Sequence, residues 1–370
     1  MNKEVRLLVL HVCLFLLGSI AVILPTAAVG LLGDGGKVFW KAAVQRKHLQ
    51  EYSKRLLDSS VGAPRYANDR HLKRSLAKHA EDFDAAVIGS SRVMHLSSLR
   101  SPSIRKRFGR ILNLGASGGT LEDVAASSEM LLDSGFVKAP GKTVIIGLDP
   151  WMLRWRMDVR FHEHISQLNA MMHRVGSGKF YGATRYKLKK IRNLFTYNYF
   201  WVSLKAIIVG GPGETLGIPD YKTFEYHESI LDTGFKYDII LNDGSLLQAA
   251  LDRKARQTST NYHHSVSYKI TDQIPDRSAL KFLSDIVKLF QSFDVNVVLF
   301  LCPYHHCLFD EENDSYRSVI ENAEDVYREF ADDYAVELYG SYRPDYVGAK
   351  EDEFFDFMHP RPPVINRIFR

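Results

Sequence analysis

The sequence predicts an α/β protein: a mostly parallel sheet with helices on both faces, tethered by an apolar N-terminal helix and interrupted by a long insertion. Three observations carry that prediction. Short apolar runs without alternation recur between helical stretches, the pattern of buried parallel strands in βαβ units. One uncharged run near the N-terminus is long enough to cross a bilayer. About 145 residues separate the third predicted strand from the fourth, far more than a loop requires.

The composition frames these local signals. The 370 residues are 45% hydrophobic and 25% charged, which excludes wholesale disorder, a collagen-like fibre and a polytopic membrane protein. Three cysteines cannot build a disulfide scaffold. A net charge of +5 spread over this length, with no zinc-finger or RNA-binding signature, gives no reason to expect a nucleic-acid partner.

From Leu7 to Leu32 the chain carries no charge, so residues 7–32 are expected to form a transmembrane signal anchor after a cytoplasmic tail of residues 1–6. Thr26-Ala27-Ala28 is a competing signal-cleavage site. Lys3 and Arg6 precede the run, and Lys37, Lys41, Arg46 and Lys47 follow it. A literal positive-inside count keeps the large domain in the cytoplasm, although long domains translocate largely regardless of charge. Residues 33–80 read as a helical stalk: Val38–Leu57, a break at Gly62-Ala63-Pro64, then a helix over Arg70–Ala80.

Residues 81–370 form the predicted domain. Its strands are Asp84–Gly89, Arg110–Leu114, Thr143–Gly147, Val295–Leu301 and Tyr334–Tyr339. The main intervening helices are Leu121–Ser134, Arg277–Phe293 and Tyr316–Phe330. An inserted subdomain occupies about 150–275, with helices around His164–Val175 and Thr184–Ile208 and a strand at Tyr237–Leu241. Insertions after the C-terminal end of a strand sit above the ligand crevice of an open α/β sheet, so this one reads as a lid or a partner-binding element.

Three motifs stand out, two of them following strands and the third closing the chain. Gly89-Ser90-Ser91-Arg92 follows the first strand, where a serine projects from the sheet and helix N-terminal amides favour an oxyanion. Asn113-Leu114-Gly115-Ala116-Ser117-Gly118-Gly119-Thr120 follows the second, its glycines allowing backbone amides close to a substrate. Asp356-Phe357-Met358-His359-Pro360 ends the domain, with a carboxylate able to fix an imidazole's tautomer. Each also has an everyday reading, as an N-cap, a tight turn or a surface Asp-x-x-His.

Taken in order, these motifs resemble the SGNH/GDSL hydrolase superfamily. The resemblance implies a flavodoxin-like three-layer α/β/α sandwich on a five-stranded sheet. It implies Ser91 as nucleophile, His359 as general base, Asp356 as its orienting partner and Gly118 as an oxyanion donor. Ser90, Arg92 and Asp149 join Gly118 as the residues expected at the oxyanion and substrate side. In this superfamily the third motif usually reads Gly-x-Asn-Asp, whereas here the segment is Gly147-Leu148-Asp149-Pro150-Trp151. An ionised Asp149 accepts hydrogen bonds and repels an oxyanion, so it replaces the usual Asn only if protonated or turned away.

A looser likeness is to the membrane-linked SGNH-like proteins of bacterial polymer acylation, the alginate O-acetylation and lipoteichoic acid D-alanyl transfer types. That likeness implies a single-pass inner-membrane protein facing the periplasm or cell exterior. Its substrate would be an acyl ester, chiefly acetyl, on an envelope glycan, and a membrane-bound O-acyltransferase its partner. Esterase and O-acyltransferase both remain open, as do a catalytically weak glycan-binding subunit and a scaffold. No cofactor or metal is expected.

Three further segments need a reading. Cys302-Pro303-Tyr304-His305-His306-Cys307 admits zinc, a disulfide or an active-site wall with free thiols, the last preferred. Arg185, Lys187, Lys189, Lys190 and Arg192 precede the aromatic and apolar stretch Leu194–Val209, which reads either as a membrane-interface segment or as a core-packing helix behind a solvated face. Asn242-Asp243-Gly244-Ser245 is a turn after a strand.

Overall fold

The structure, a computed structural model, describes residues 3–34, 49–50, 52–58, 61–64, 69–155, 160–178, 181–182, 184, 188, 191–192, 194–214, 224–225, 238–248 and 275–370. Most of the predicted stalk helix Val38–Leu57 and much of the insertion lie outside them. The chain divides into two compact units, one of Met1–Leu49 with Gly182–Asp220, the other of Gln50–Tyr181 with Tyr221–Arg370.

The strands in chain order are β1 (Val61–Pro64), β2 (Ala85–Ile88), β3 (Ile111–Asn113), β4 (Thr143–Leu148), β5 (Phe224–Glu225), β6 (Asp238–Ile240), β7 (Leu246–Gln248), β8 (Asn296–Leu301) and β9 (Glu337–Gly340). Five of them form the main sheet of the larger unit in the order β3-β2-β4-β8-β9, all parallel. Every residue of β2, β3 and β4 is buried, as strands covered on both faces must be. Numbered within the sheet, this is the 2-1-3-4-5 order of the flavodoxin-like class. The strand order therefore reverses between β2 and β4, and ligands of such sheets bind beyond the C-terminal ends at that switch point.

The covering helices follow from their sequences. Arg277–Ser292 buries Ala279, Phe282, Leu283, Ile286, Val287 and Phe290, a helical stripe, and Asp276 caps it by accepting from the Ser278 amide at 2.8 Å. Asp314–Asp333 buries Ile320, Ala323, Tyr327 and Phe330 in the same way. The final strand begins at Glu337, three residues after the predicted Tyr334, because this helix runs through Asp333 and the turn behind it places Ala335 at φ 50°. On one side of the sheet Val87, Ile145, Val298 and Phe300 pack with Phe108, Ile365 and Phe369 from flanking helices and the C-terminus.

The helix expected over Arg70–Ala80 is observed at Asp69–Ala77, with Arg70, Leu72, Lys73 and Leu76 buried in this unit. A second, antiparallel sheet runs β5-β1-β6-β7. Its β1 comes from the Gly62-Ala63-Pro64 segment read as a helix break, and its β6 from the strand predicted at Tyr237–Leu241. Alternation is too short in either segment to announce a sheet.

In the smaller unit, Lys3–Gly33 is one helix, and its stretch Val5–Gly33 is long and apolar enough to cross a membrane. Two polar side chains along it bond the helix's own backbone: His11 Nδ1 lies 2.8 Å from Leu7 O, and Thr26 Oγ1 donates to Val22 O at 2.8 Å. The insertion contributes a second helix, Tyr197–Glu214, which packs against it.

Candidate active site

The Ser91 side of the site is a turn held against the sheet. Leaving β2, Gly89 adopts φ 150°, and a Cβ there would lie 2.8 Å from Gly147 O on β4. Ser90 then caps a short 3₁₀ turn, Ser91–Val93, accepting from the Arg92 amide at 3.1 Å. From β3, Asn113 donates to Val93 O at 2.7 Å and Leu96 O at 2.9 Å and accepts from the Gly115 amide at 2.9 Å. One buried amide side chain thus fixes both the serine turn and the start of the glycine loop.

That loop lies directly on the turn. The Ala116 amide donates to Gly89 O at 3.0 Å, and a Cβ on Gly119 would sit 2.6 Å from Gly89 O and 2.9 Å from Ser90 Cα. Gly118 is in the same loop with φ 57°. The loop is braced from outside by Asp69–Ala77, where Arg70 donates to Ser117 O at 3.1 Å and grips Asp123 through two bonds of 2.7 and 2.8 Å. Trp151 closes the other side, its indole donating to Gly119 O at 2.8 Å. The Asn242–Ser245 turn is also part of this support: Asn113 N donates to Asp243 O at 2.7 Å, and Lys73 Nζ bridges Asn113 O and Gly244 O.

The chain's last loop brings the histidine to the serine. His359 Nε2 is 2.9 Å from Ser91 Oγ, and His359 Nδ1 is 2.9 Å from both oxygens of Asp356. Ser91, not Ser90, is therefore the serine that meets the imidazole. Asp356 also accepts from the amides of Met358 at 2.8 Å and His359 at 2.9 Å, an Asx-type turn that sets the three-residue spacing. Burial pushes the Asp356 carboxyl up, but the His359 ring and these amides outweigh it and hold it below the usual carboxylate range. An ionised Asp356 accepting from Nδ1–H leaves Nε2 free to take a proton from Ser91.

Beneath the pair lies a buried polar knot. Arg92 is only 1% exposed, so its guanidinium faces the protein and not a substrate. It donates to Asp149 Oδ1 at 2.9 Å, to Met358 O at 3.2 Å and to Cys302 O, and it stacks 3.5 Å above the Tyr304 ring. One side chain from the serine turn thus ties the ends of β4 and β8 to the residue before His359. Ser90 lies beside the Asp149 carboxylate and favours its charged form. Burial pushes the Asp149 carboxyl up, with Arg92 and Ser90 pulling the other way. The Asp149 carboxylate is thereby turned to Arg92 and away from Ser91.

The Cys302–Cys307 strip forms the bed of the histidine loop. Tyr304 N donates to Tyr342 O at 2.9 Å and His305 N to Phe357 O at 3.0 Å. All three cysteines are free thiols, and burial pushes Cys302 up to about 12 and Cys307 to about 11. Among the described residues no group of three or more His, Cys, Asp or Glu side chains is arranged to hold a metal ion.

His95 was not singled out by its sequence context. It is buried two residues beyond the serine turn, its Nδ1 3.1 Å from Leu246 O, its ring 4.9 Å from that of Phe355 and 6.4 Å from that of His359. Burial, with Arg100 and His359 nearby, pushes it down to about 3, so it is neutral at physiological pH. Nothing in the spacing from Ser91 to His95 marks it, because its neighbours come from β7 and the C-terminal loop. Arg92 was legible only as a member of the first motif, since burial is not written in a tetrapeptide. No family model matches the chain, and no curated protein matches it either.

Proposed function

We propose that this chain is a serine esterase or O-acyltransferase of SGNH type, acting on O-acyl groups, chiefly acetyl, of a bacterial envelope glycan. The observation that carries the reading is the continuous relay Ser91–His359–Asp356, with bonds of 2.9 Å at both junctions, at the switch point of the sheet. In the reaction, Ser91 Oγ attacks the acyl carbonyl while His359 Nε2 takes its proton. The tetrahedral oxyanion is met by the Ser91 and Gly118 amides, two donors without the usual Asn. Collapse expels the alcohol, which takes the proton back from His359 and leaves the acyl group on Ser91. Water then gives an esterase, a sugar hydroxyl a transferase.

The apolar helix Val5–Gly33 supports an inner-membrane anchor with the catalytic unit facing the periplasm or cell exterior. A membrane-bound O-acyltransferase would be a suitable partner in that setting. The test is mass spectrometry of the purified chain after a fluorophosphonate. An adduct on Ser91 that is lost in His359→Ala supports the reading. No adduct, beside a control hydrolase that is labelled, overturns it in favour of a non-catalytic subunit.

A further inference from the structure

The insertion helix Tyr197–Glu214 is locked to the last turns of the anchor helix. A Cβ on Gly33 would lie 2.2 Å from Ser203 O, so the two backbones touch there, as small residues allow between membrane helices. Ser203 Oγ donates to Gly30 O at 3.4 Å, and the Tyr199 hydroxyl donates to the buried Asp34 carboxylate at 2.6 Å. The 29 residues of Val5–Gly33 measure about 43 Å, longer than a hydrocarbon core of about 30 Å, so this contact falls at one bilayer interface.

Among its described side chains, the second helix leaves several apolar and aromatic ones uncovered. Tyr197 is 74% exposed and Trp201 49%, with Val202 and Ile208 also exposed. The rings of Tyr197 and Phe200 stand 5.9 and 5.6 Å from that of Trp201, forming one cluster. The end of the anchor helix also exposes apolar side chains, at Leu31 and Leu32. The second helix's apolar run Tyr199–Ile208 spans about 15 Å, too short to cross, and carries Lys205, which is exposed and able to reach headgroups. Trp and Tyr concentrate at this depth of a membrane, and Arg192 with its basic neighbours in sequence suits an anionic surface.

We propose that the insertion returns to the bilayer. Helix Tyr197–Glu214 lies in the boundary between headgroups and acyl chains, docked on the end of the anchor, with Tyr197, Phe200 and Trp201 sunk in lipid. The chain then meets the membrane twice, first through its anchor and again from within the insertion. This rests on the anchor reading of Val5–Gly33, so the test interrogates the two helices separately.

In a Cys13→Ser/Cys307→Ser background, the full chain is labelled with an environment-sensitive fluorophore at Trp201→Cys or, as reference, at Phe15→Cys. It is reconstituted in vesicles of phosphatidylcholine and phosphatidylglycerol. Lipids carrying a nitroxide high on the acyl chain should reduce emission at position 201 by about half or more, while aqueous iodide has little effect. Quenching at 15 by deep nitroxides with position 201 open to iodide overturns the inference and keeps the anchor. Failure of lipid quenching at both positions overturns the anchor as well. A label at 201 shielded from lipid and iodide alike overturns the inference too, because a second copy of the chain then covers the helix.

Discussion

The two halves of the candidate dyad are held by opposite means. Ser91 sits on a turn pinned by the sheet itself, through Gly89, Gly119 and the buried Asn113. His359 sits on a loop at the chain's end, its ring side chain 20% exposed and that of its partner Asp356 41% exposed. The difference teaches where precision comes from. The serine turn is positioned by close backbone packing, the histidine loop by a few hydrogen bonds that reach it from elsewhere. Of these, Arg92 to Met358 O and His305 N to Phe357 O come from the serine turn and from the strand-end segment. The weaker side is therefore tied to the stronger one by a buried cation.

The largest expected effect comes from cutting the dyad at its rigid end. Ser91→Ala should lower the turnover of an acetyl ester by about 10⁴–10⁶-fold with the fold intact, since oxyanion donors and binding alone retain little rate. Steady-state kinetics beside a thermal melt checks this. If Ser90→Ala matched that loss, the serine that meets His359 would not be the nucleophile. Next in size is the histidine end: Asp356→Asn removes the carboxylate that fixes the His359 tautomer. A fall of about 10²–10⁴-fold in kcat is expected, with little change in thermal stability, because an Asn Oδ1 can still accept from the Met358 and His359 amides.

The third prediction strikes the tie between the halves. Arg92→Met leaves Asp149 buried without its cation, and breaking such a pair costs about 3–5 kcal/mol in urea unfolding. The double variant Arg92→Met/Asp149→Leu should recover most of that stability, since an apolar pair can replace a buried ion pair. It should not recover the rate, because Met358 O and Cys302 O still lack their donor. Recovery of both would mean that Arg92 serves only to neutralise Asp149.

The same asymmetry governed what could be read in advance. The parallel strands were legible because their burial on both faces writes itself as continuous apolar runs. Ser91 was legible because its motif follows a strand end, and Asp356 and His359 because they share one Asp-x-x-His motif. The rest depends on neighbours distant in sequence. Arg92 meets Cys302 and Met358, 210 and 266 residues away, and a tetrapeptide holds no trace of either contact. The small antiparallel sheet joins β1 to strands from the insertion, each too short for alternation to register. The insertion helix carried two readings, interface or core, because composition does not say which partner an apolar stretch covers.

The smallest effect concerns the contact between the halves, where His95 bonds Leu246 O on one side and stacks on Phe355 on the other. Burial holds it down to about 3, and His164 is likewise pushed down to about 3 by burial. Both are neutral in the folded chain, and in the unfolded chain both protonate near 6.5. Their contribution is thus complete above about pH 6.5 and is lost as pH falls toward 3, because the unfolded state binds the protons. Each removes about 1.4 kcal/mol per pH unit once well below 6.5. Urea unfolding between pH 7 and pH 4.5 should show this slope, and His95→Gln should remove one histidine's share of it. If it does, a change in Ser91 labelling of that variant at pH 7 would read how far this one contact sets the histidine loop against the serine turn. An unchanged slope would mean that His95 takes up its proton while still folded.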